Sequence, residues 1–338
     1  MILTRFQSVL VSATLVLFLA GCQRSPLRVD VSGVQAKVDL ERFDRDVFLM
    51  SPGNEEEAIR GFYESYGDFF DVFNVHVISI GPASQKYYPS YLSMFVNDPE
   101  NREVYNYTSE VFADCSGLEE ELSLGFRHYL YYYPDSIVPR VIGYVSRFNQ
   151  KLFTVGRYIG VGLDQYLGSD CRYYEMLRTP AYQRYNNRKE KIPSDVMRIW
   201  ASSLYPYNDS LDNLLNHMIY NGMLDYFTEA MLPGEPDSLR LGFTPLQTKW
   251  CQNNEQQMWT YLIEHKLLFS TDPMVIKKLT DDAPYTYYFT GESPGKAANW
   301  QGLQIVRAYV KRNPEVSLPR LMAVRDYQQI LTGSRYDP

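Results

Sequence analysis

Residues 140–148 (RVIGYVSRF) and 158–163 (YIGVGL) decide the fold class of this chain. Both stretches are short and rich in β-branched and aromatic residues, and turn-forming residues at Asn149-Gln150 and Gly156 lie between them. Short runs of this composition with turn signals between them predict two or three antiparallel strands. Residues 76–80 (HVISI) are a further candidate strand.

Helical signals dominate the rest of the chain. Apolar residues recur at helical spacing, and capping residues or Pro open most of these runs. Predicted helices begin at Asn54 with Glu57, Asp98-Pro99, Ser116 with Glu119, Pro193-Ser194-Asp195, Asp209, Thr244-Pro245, Gly295 and Leu318. A small antiparallel sheet among many helices is an α+β fold that is predominantly helical. No linker rich in Gly, Pro or Ser interrupts the chain, so we expect one domain over residues 36–338.

The N-terminus has the features of an exported bacterial lipoprotein. Arg5 supplies a positive charge, residues 9–19 (VLVSATLVLFL) are almost all apolar, and residues 19–22 read LAGC. A charged start, a short apolar run and small residues at the cut predict a secretory signal rather than a spanning helix. We expect a signal peptide over 1–21, lipid and acyl chains on Cys22, and a tether over 22–35. The alternative is an ordinary signal peptide with a chance cysteine.

Composition narrows the functional classes. The chain has 338 residues and a net charge of −7, with 45% hydrophobic and 22% charged residues. Without a cluster of Lys and Arg to neutralise phosphates, nucleic acid is not an expected partner. The 29 Tyr and 17 Phe indicate either a broad amphipathic surface or a bias of composition. Cys115, Cys171 and Cys251 leave open one disulfide or buried free thiols.

The sequence contains no complete catalytic constellation. None of its four histidines stands in H-E-x-x-H, and no G-x-S-x-G occurs. His217 lies one helical turn before Asn221, which is compatible with a polar pair in a cleft or with an ordinary hydrogen-bonded helix histidine. We therefore predict no catalytic residue, no metal ligand and no cofactor.

Ten short stretches, spread nearly from end to end of the chain, match the pattern of one family. They are LAGC (19–22), DVSGV (30–34), ERFDRD (41–46), PRV (139–141), VGLDQYLG (161–168), MIYNG (218–222), WC (250–251), ESPG (292–295), QIVRAY (304–309) and SRY (334–336). In these stretches the chain resembles the gliding-motility lipoprotein GldB family of Bacteroidota. The resemblance implies a role in gliding motility and in the type IX secretion system that supports it, with protein components of that machinery as partners.

A more distant similarity is to gluzincin metallopeptidases, in which one helix carries H-E-x-x-H and a second carries a Glu ligand before Gly. Here the first helix reads SDVMRIWA (194–201), without histidine, and Asn221 stands where the Glu would be. A neutral amide is a poor zinc ligand. This similarity implies a zincin-like domain that has lost its metal and is not an enzyme, with a candidate cleft at Asp195, Trp200, His217 and Asn221.

Three functions are carried forward as hypotheses. The first is a non-enzymatic envelope lipoprotein that binds a protein partner through the candidate cleft of the metallopeptidase-like domain or through an aromatic surface. The second is a hydrolase with an unconventional site drawn from Asp195, His217 and Ser202. The third is a lipoprotein that binds peptidoglycan or another glycan. Because Gln23 is not Asp and residues 23–26 lack an acidic run, we expect attachment to the outer membrane, facing the periplasm.

Overall fold

The computed structural model describes residues 27–51 and 53–338. The predicted signal peptide, Cys22 and residues 23–26 of the predicted tether lie outside these residues. In residues 27–30 the Val29 N–H donates to the Leu27 carbonyl at 3.0 Å. The chain from Val31 to Pro338 forms a separate unit, and all elements below belong to it.

A four-stranded sheet lies in the first half of this unit. Its strands are β1 (Leu40–Arg42), β2 (Arg140–Tyr144), β3 (Leu152–Val155) and β4 (Tyr158–Gly162). Their order is β1-β2-β4-β3. β2 and β4 are buried over their last four residues, as expected for strands covered on both faces.

The expectation of an antiparallel sheet is wrong, because the sheet is mixed. β1 pairs with β2 and β2 pairs with β4 in parallel, and only β3 and β4 are antiparallel. The short turn at Gly156, whose φ is +52°, makes β3 and β4 a hairpin. β4 then lies between β2 and β3, so the 140–148 and 158–163 stretches run in the same direction. Local composition identifies strands but does not determine which strands pair.

Helices make up most of the remaining structure. Within the described residues there are seventeen α-helices, which for this article are α1 to α17 in chain order. The first six are α1 (Phe43–Phe48), α2 (Glu55–Tyr66), α3 (Asp68–Val72), α4 (Tyr88–Asn97), α5 (Pro99–Val111) and α6 (Ser116–Tyr132). After the sheet come α7 (Arg172–Met176), α8 (Ala181–Arg184), α9 (Ile192–Leu204), α10 (Leu214–Met231), α11 (Asp237–Leu241) and α12 (Pro245–Asn253). The last five are α13 (Glu255–Glu264), α14 (Pro273–Thr280), α15 (Ala297–Arg312), α16 (Leu318–Met322) and α17 (Tyr327–Ser334).

Several helix starts follow the sequence signals, but the helix predicted to begin at Asp209 begins at Leu214, where the Asn213 side chain caps it. The Asp98 side chain accepts hydrogen bonds from the backbone of the first turn of α5, and Thr244 forms a capping box with Gln247 at α12. The predicted helix that begins at Thr244-Pro245 is divided at Asn254 into α12 and α13. The predicted helix that begins at Leu318 is divided into α16 and α17. The expected strand at 76–80 is also wrong. His76 and Val77 end a π-helix, Phe73–Val77, that continues α3, and residues 78–80 have no regular secondary structure. Phe73 at the start of this π-helix packs against Phe95 and Tyr144.

The core of the second half is the crossing of α10 and α15. A β-carbon at Gly302 would overlap the Met218 carbonyl, and one at Gly222 would overlap the Gly302 backbone. Only glycines allow the two helices to touch at this point. None of the helices in residues 27–51 and 53–338 is long and apolar enough to cross a membrane. The thiols of Cys115, Cys171 and Cys251 are free, which answers the question that their spacing left open.

Candidate functional site

A charged cavity of about 270 Å³ lies between the start of β3, helices α9, α10 and α11, and the chain that leads into α15. Its charged lining residues are Lys151, Lys191, Arg198, Arg240 and Lys296, with Asp195, Asp225 and Asp282. The cations therefore outnumber the anions by two, in a chain whose net charge is −7.

Helix α9 places Asp195 in this cavity. The helix has Pro193 and Asp195 in its first turn, where a proline ring and a negative charge both favour a helix start. Its apolar face, with Val196, Met197 and Trp200, is buried. This packing leaves Asp195 on the side of the helix that meets the cavity.

Asp195 is the centre of a cluster of hydrogen bonds and ion pairs. Its Oδ1 lies 2.9 Å from the Lys191 Nζ, and its Oδ2 lies 3.4 Å from the Lys151 Nζ. The Tyr166 hydroxyl donates to Oδ2 at 2.9 Å. One carboxylate thus serves three donors, two of them cationic. Lys151 also lies over the Tyr166 ring, at 4.5 Å from its centroid.

The cluster favours the charged form of Asp195 and disfavours the charged form of Lys151. Burial would raise the pKa of Asp195, but the charges of Lys191 and Lys151 and the hydrogen bonds outweigh burial and hold that pKa well below its ordinary value. Burial lowers the pKa of Lys151, and Asp195 opposes this only in part. Lys191 and Lys296 add repulsion to the same ammonium group. Lys151 and Lys191 thus share the single carboxylate of Asp195.

Arg198 joins α9 to α10. Its Nη2 donates to the Asn221 Oδ1 at 2.6 Å, and its Nη1 bonds the carboxylate of Asp225. The Asp225 side chain is 5% exposed, whereas that of Arg198 is 29% exposed. The guanidinium is therefore held from behind by a buried carboxylate while part of it still faces the cavity.

Lys296 reaches the cavity from the turn before α15. The Thr286 hydroxyl donates to the Pro294 carbonyl at 2.7 Å and accepts from the Ala297 N–H at 3.0 Å. These buried bonds hold the turn at residues 292–295 (ESPG). Lys296 itself has φ +50° and its Nζ lies 2.8 Å from Asp282.

A second network supports the floor of the cavity. Arg240, whose side chain is 2% exposed, pairs with Asp237 at 2.8 Å and with Glu229 at 3.4 Å. Arg307 on α15 binds the same two carboxylates at 2.7 Å. This arrangement of two cations and two anions joins α10, α11 and α15. The cavity also continues into a neighbouring one of about 550 Å³, which shares Lys151 and Asp282 with it.

The structure separates the four residues of the predicted cleft. Asp195 lines the cavity, and Asn221 lines an adjoining cavity that shares Arg198 with it. Trp200 is buried on the opposite face of α9, with its ring against Tyr129. The ring of His217 points elsewhere, because its Nε2 lies 2.6 Å from the Asp212 Oδ1.

Neither the candidate polar pair of His217 and Asn221 nor the candidate residue Ser202 makes a side-chain contact of the kind that catalysis would need. The Asn221 amide donates to the His217 backbone carbonyl at 2.9 Å rather than to its ring. The Ser202 hydroxyl donates to the Ile199 carbonyl within its own helix. Within residues 27–51 and 53–338, no three His, Cys, Asp or Glu side chains form a group that could hold a metal ion.

Lys151, Arg198 and Lys296 were not among the residues predicted from the sequence. Arg198 could have been found, since it lies three residues after Asp195 and so shares its helix face. Lys151 and Lys296 carried no such signal, because each comes from a loop far away in sequence.

A family model described as gliding motility protein GldB matches residues 24–338. No curated protein matches the chain, and no solved structure does.

Proposed function

Since the chain belongs to the gliding motility protein GldB family, we propose that it is a lipid-anchored envelope protein that binds a protein component of the gliding and type IX secretion machinery. The lipid is on Cys22, and the domain faces the periplasm from the outer membrane. The charged cavity at Asp195 and Arg198 is the binding site, in a metallopeptidase-like domain that works without metal.

The observation that carries this proposal is the position of Arg198. In the gluzincin similarity, α9 and α10 correspond to the two helices that supply the metal ligands. Here a guanidinium stands between these helices, bonded to Asn221 and to the buried Asp225. A fixed positive charge at this position repels a metal ion, and it attracts an anionic group of a partner instead. A binding role for the cavity therefore agrees better with its residues than metal-dependent hydrolysis.

Replacement of the native gene tests the cavity. Arg198→Ala and Lys296→Met should abolish or strongly reduce gliding while the protein remains folded and at normal level. Lys249→Met, at an exposed position outside the cavity, should glide like wild type. Normal gliding by both cavity variants would overturn the proposal, as would stoichiometric zinc together with peptidase activity in the purified protein.

The anchor is tested separately. Cys22→Ala should move the protein from the membrane fraction to the soluble fraction, because the acyl chains supply the attachment. Protease treatment of intact cells should leave the wild-type domain uncut if it faces the periplasm. Cleavage in intact cells would contradict that orientation, and a membrane-bound Cys22→Ala protein would contradict the anchor.

A further inference from the structure

Strand β3 is an unpaired sheet edge that opens into the charged cavity. The strand order places β3 at the end of the sheet, with β4 on one side. Leu152, its first residue, lines the cavity beside Lys151. All four residues of β3 are half-buried.

The outward-facing backbone groups of β3 can be assigned from its ladder. The Gly162 N–H donates to the Lys151 carbonyl at 2.9 Å, so these two residues are a hydrogen-bonded pair. Pairs alternate along an antiparallel ladder, and so the backbone groups of Leu152 and Thr154 point away from β4. The Leu152 carbonyl accepts from the Gln150 side chain at 2.7 Å. For the Leu152 and Thr154 N–H groups, the part of the chain that the structure describes shows no acceptor.

The cavity at the end of this edge favours a negative charge. Lys151 immediately precedes β3, and its ammonium shares the single carboxylate of Asp195 with Lys191. Arg198 and Lys296 are each about a quarter to a third exposed. A chain laid along β3 would reach these cations within one or two residues, since each residue advances about 3.3 Å.

We propose that β3 and the cavity together bind an extended polypeptide segment that carries a carboxylate. The segment adds to the sheet at β3 through backbone hydrogen bonds, and its carboxylate enters the cavity beside Lys151, Arg198 and Lys296. Edge-strand addition supplies affinity through the main chain, and the charged cavity supplies the selection. This inference rests on the proposed function and names the class of partner for that site.

Peptide binding to the mature lipoprotein in detergent tests the inference. The probes are arrays of random octapeptides, synthesised with free and with amidated C-termini. Binding sequences should be enriched in Asp or Glu, or should require the free C-terminus, and these two arms identify the source of the carboxylate. Enrichment without any carboxylate, or an absence of binding, would overturn the inference.

Two controls separate the edge from the charge. Peptides N-methylated at alternate backbone nitrogens should lose at least tenfold in affinity in one of the two registers, because one register faces β3. Lys151→Met and Lys296→Met should each weaken binding about tenfold, and the exposed Lys249→Met should not. Equal binding by both methylated registers would overturn strand addition. If peptides fail to bind but the cavity variants still abolish gliding, this inference fails while the proposed function stands. If peptides bind but the cavity variants glide normally, the proposed function fails while the peptide site stands.

Discussion

Replacing Asp195 with Asn should be among the most damaging single changes in the cavity. The change keeps the shape of the side chain but removes the negative charge between Lys191 and Lys151. The side chains of Asp195 and Lys191 are 15% and 7% exposed, and that of Lys151 is 32% exposed. Removing one partner of a buried ion pair costs about 3–5 kcal/mol because a charge remains buried without compensation. The partial exposure of Lys151 places the expected loss near the lower end, at about 3 kcal/mol.

Urea denaturation of the wild type and Asp195→Asn measures this loss as a change in midpoint at constant slope. The matched control is Asp39→Asn, whose carboxylate lies 2.7 Å from Lys37 with both side chains largely exposed. That pair is closer than either pair of Asp195, yet its removal should change stability far less, because solvent screens it. Equal effects of the two substitutions would refute the argument that burial decides the energy.

The pH dependence gives the same test a sign. The pKa of Asp195 is lowered in the folded protein, so its stabilisation is fully present above its ordinary pKa of 3.8 and falls as the pH drops below that value. The difference between wild type and Asp195→Asn should therefore shrink below about pH 4. In the double variant with Lys151→Met, part of the loss should return, since one uncompensated ammonium is gone. A double variant that loses the full sum would contradict this coupling.

Three further outcomes are expected. Gly302→Ala should lower stability by about 1–3 kcal/mol through overpacking against α10, whereas Gly61→Ala, in a helix with open space around it, should raise it by up to about 1 kcal/mol; thermal unfolding of both would expose an error if Gly302→Ala were neutral. Asp164→Ala should cost about 1 kcal/mol more at pH 5 than at pH 7. Burial raises the pKa of Asp164 to about 6 against the opposing hydrogen bond from Phe148, so the folded wild type takes up a proton and gains stability as the pH falls from 7 to 5. A loss that is the same at both pH values would argue against this. Thr244→Ala should cost about 1 kcal/mol in urea denaturation through loss of the capping box, and no change would show that the cap is dispensable.

Local signals predicted some local features correctly, although the helix expected from Asp209 begins at Leu214. Asp98 and Thr244 cap helices as their positions indicate, because capping depends only on residues within one turn. The parallel direction of β2 and β4 could not be predicted, because it depends on β4 pairing with β2 on one side and with β3 on the other. The HVISI stretch is rich in β-branched residues, yet only His76 and Val77 belong to a regular element, the π-helix whose first residue, Phe73, packs against Phe95 and Tyr144. Tertiary packing overrides a short β-branched run of this kind.

The candidate site was predictable only in part for the same reason. Asp195 and Asn221 were reached through a family resemblance and helix position, and both lie at the cavities. Trp200 shares the helix of Asp195 but faces the core, because about three and a half residues make one turn and five residues reach a different face. Lys151 and Lys296 enter from separate loops, so only the folded chain brings them to Asp195.

The contact between Gly222 and Gly302 also determines how the cavity can respond to an occupant. Asn221 and Asp225 belong to α10, and Lys296 and Asn299 lie at the start of α15, so the touching backbones hold these two walls together. Walls tied in this way cannot swing shut as the two lobes of a hinged receptor do. The cavity should therefore act as a preformed, rigid binding site that selects its occupant by shape and charge. For such a site the ordering entropy of association falls on the incoming chain, and affinity should depend on how extended that chain is before it binds.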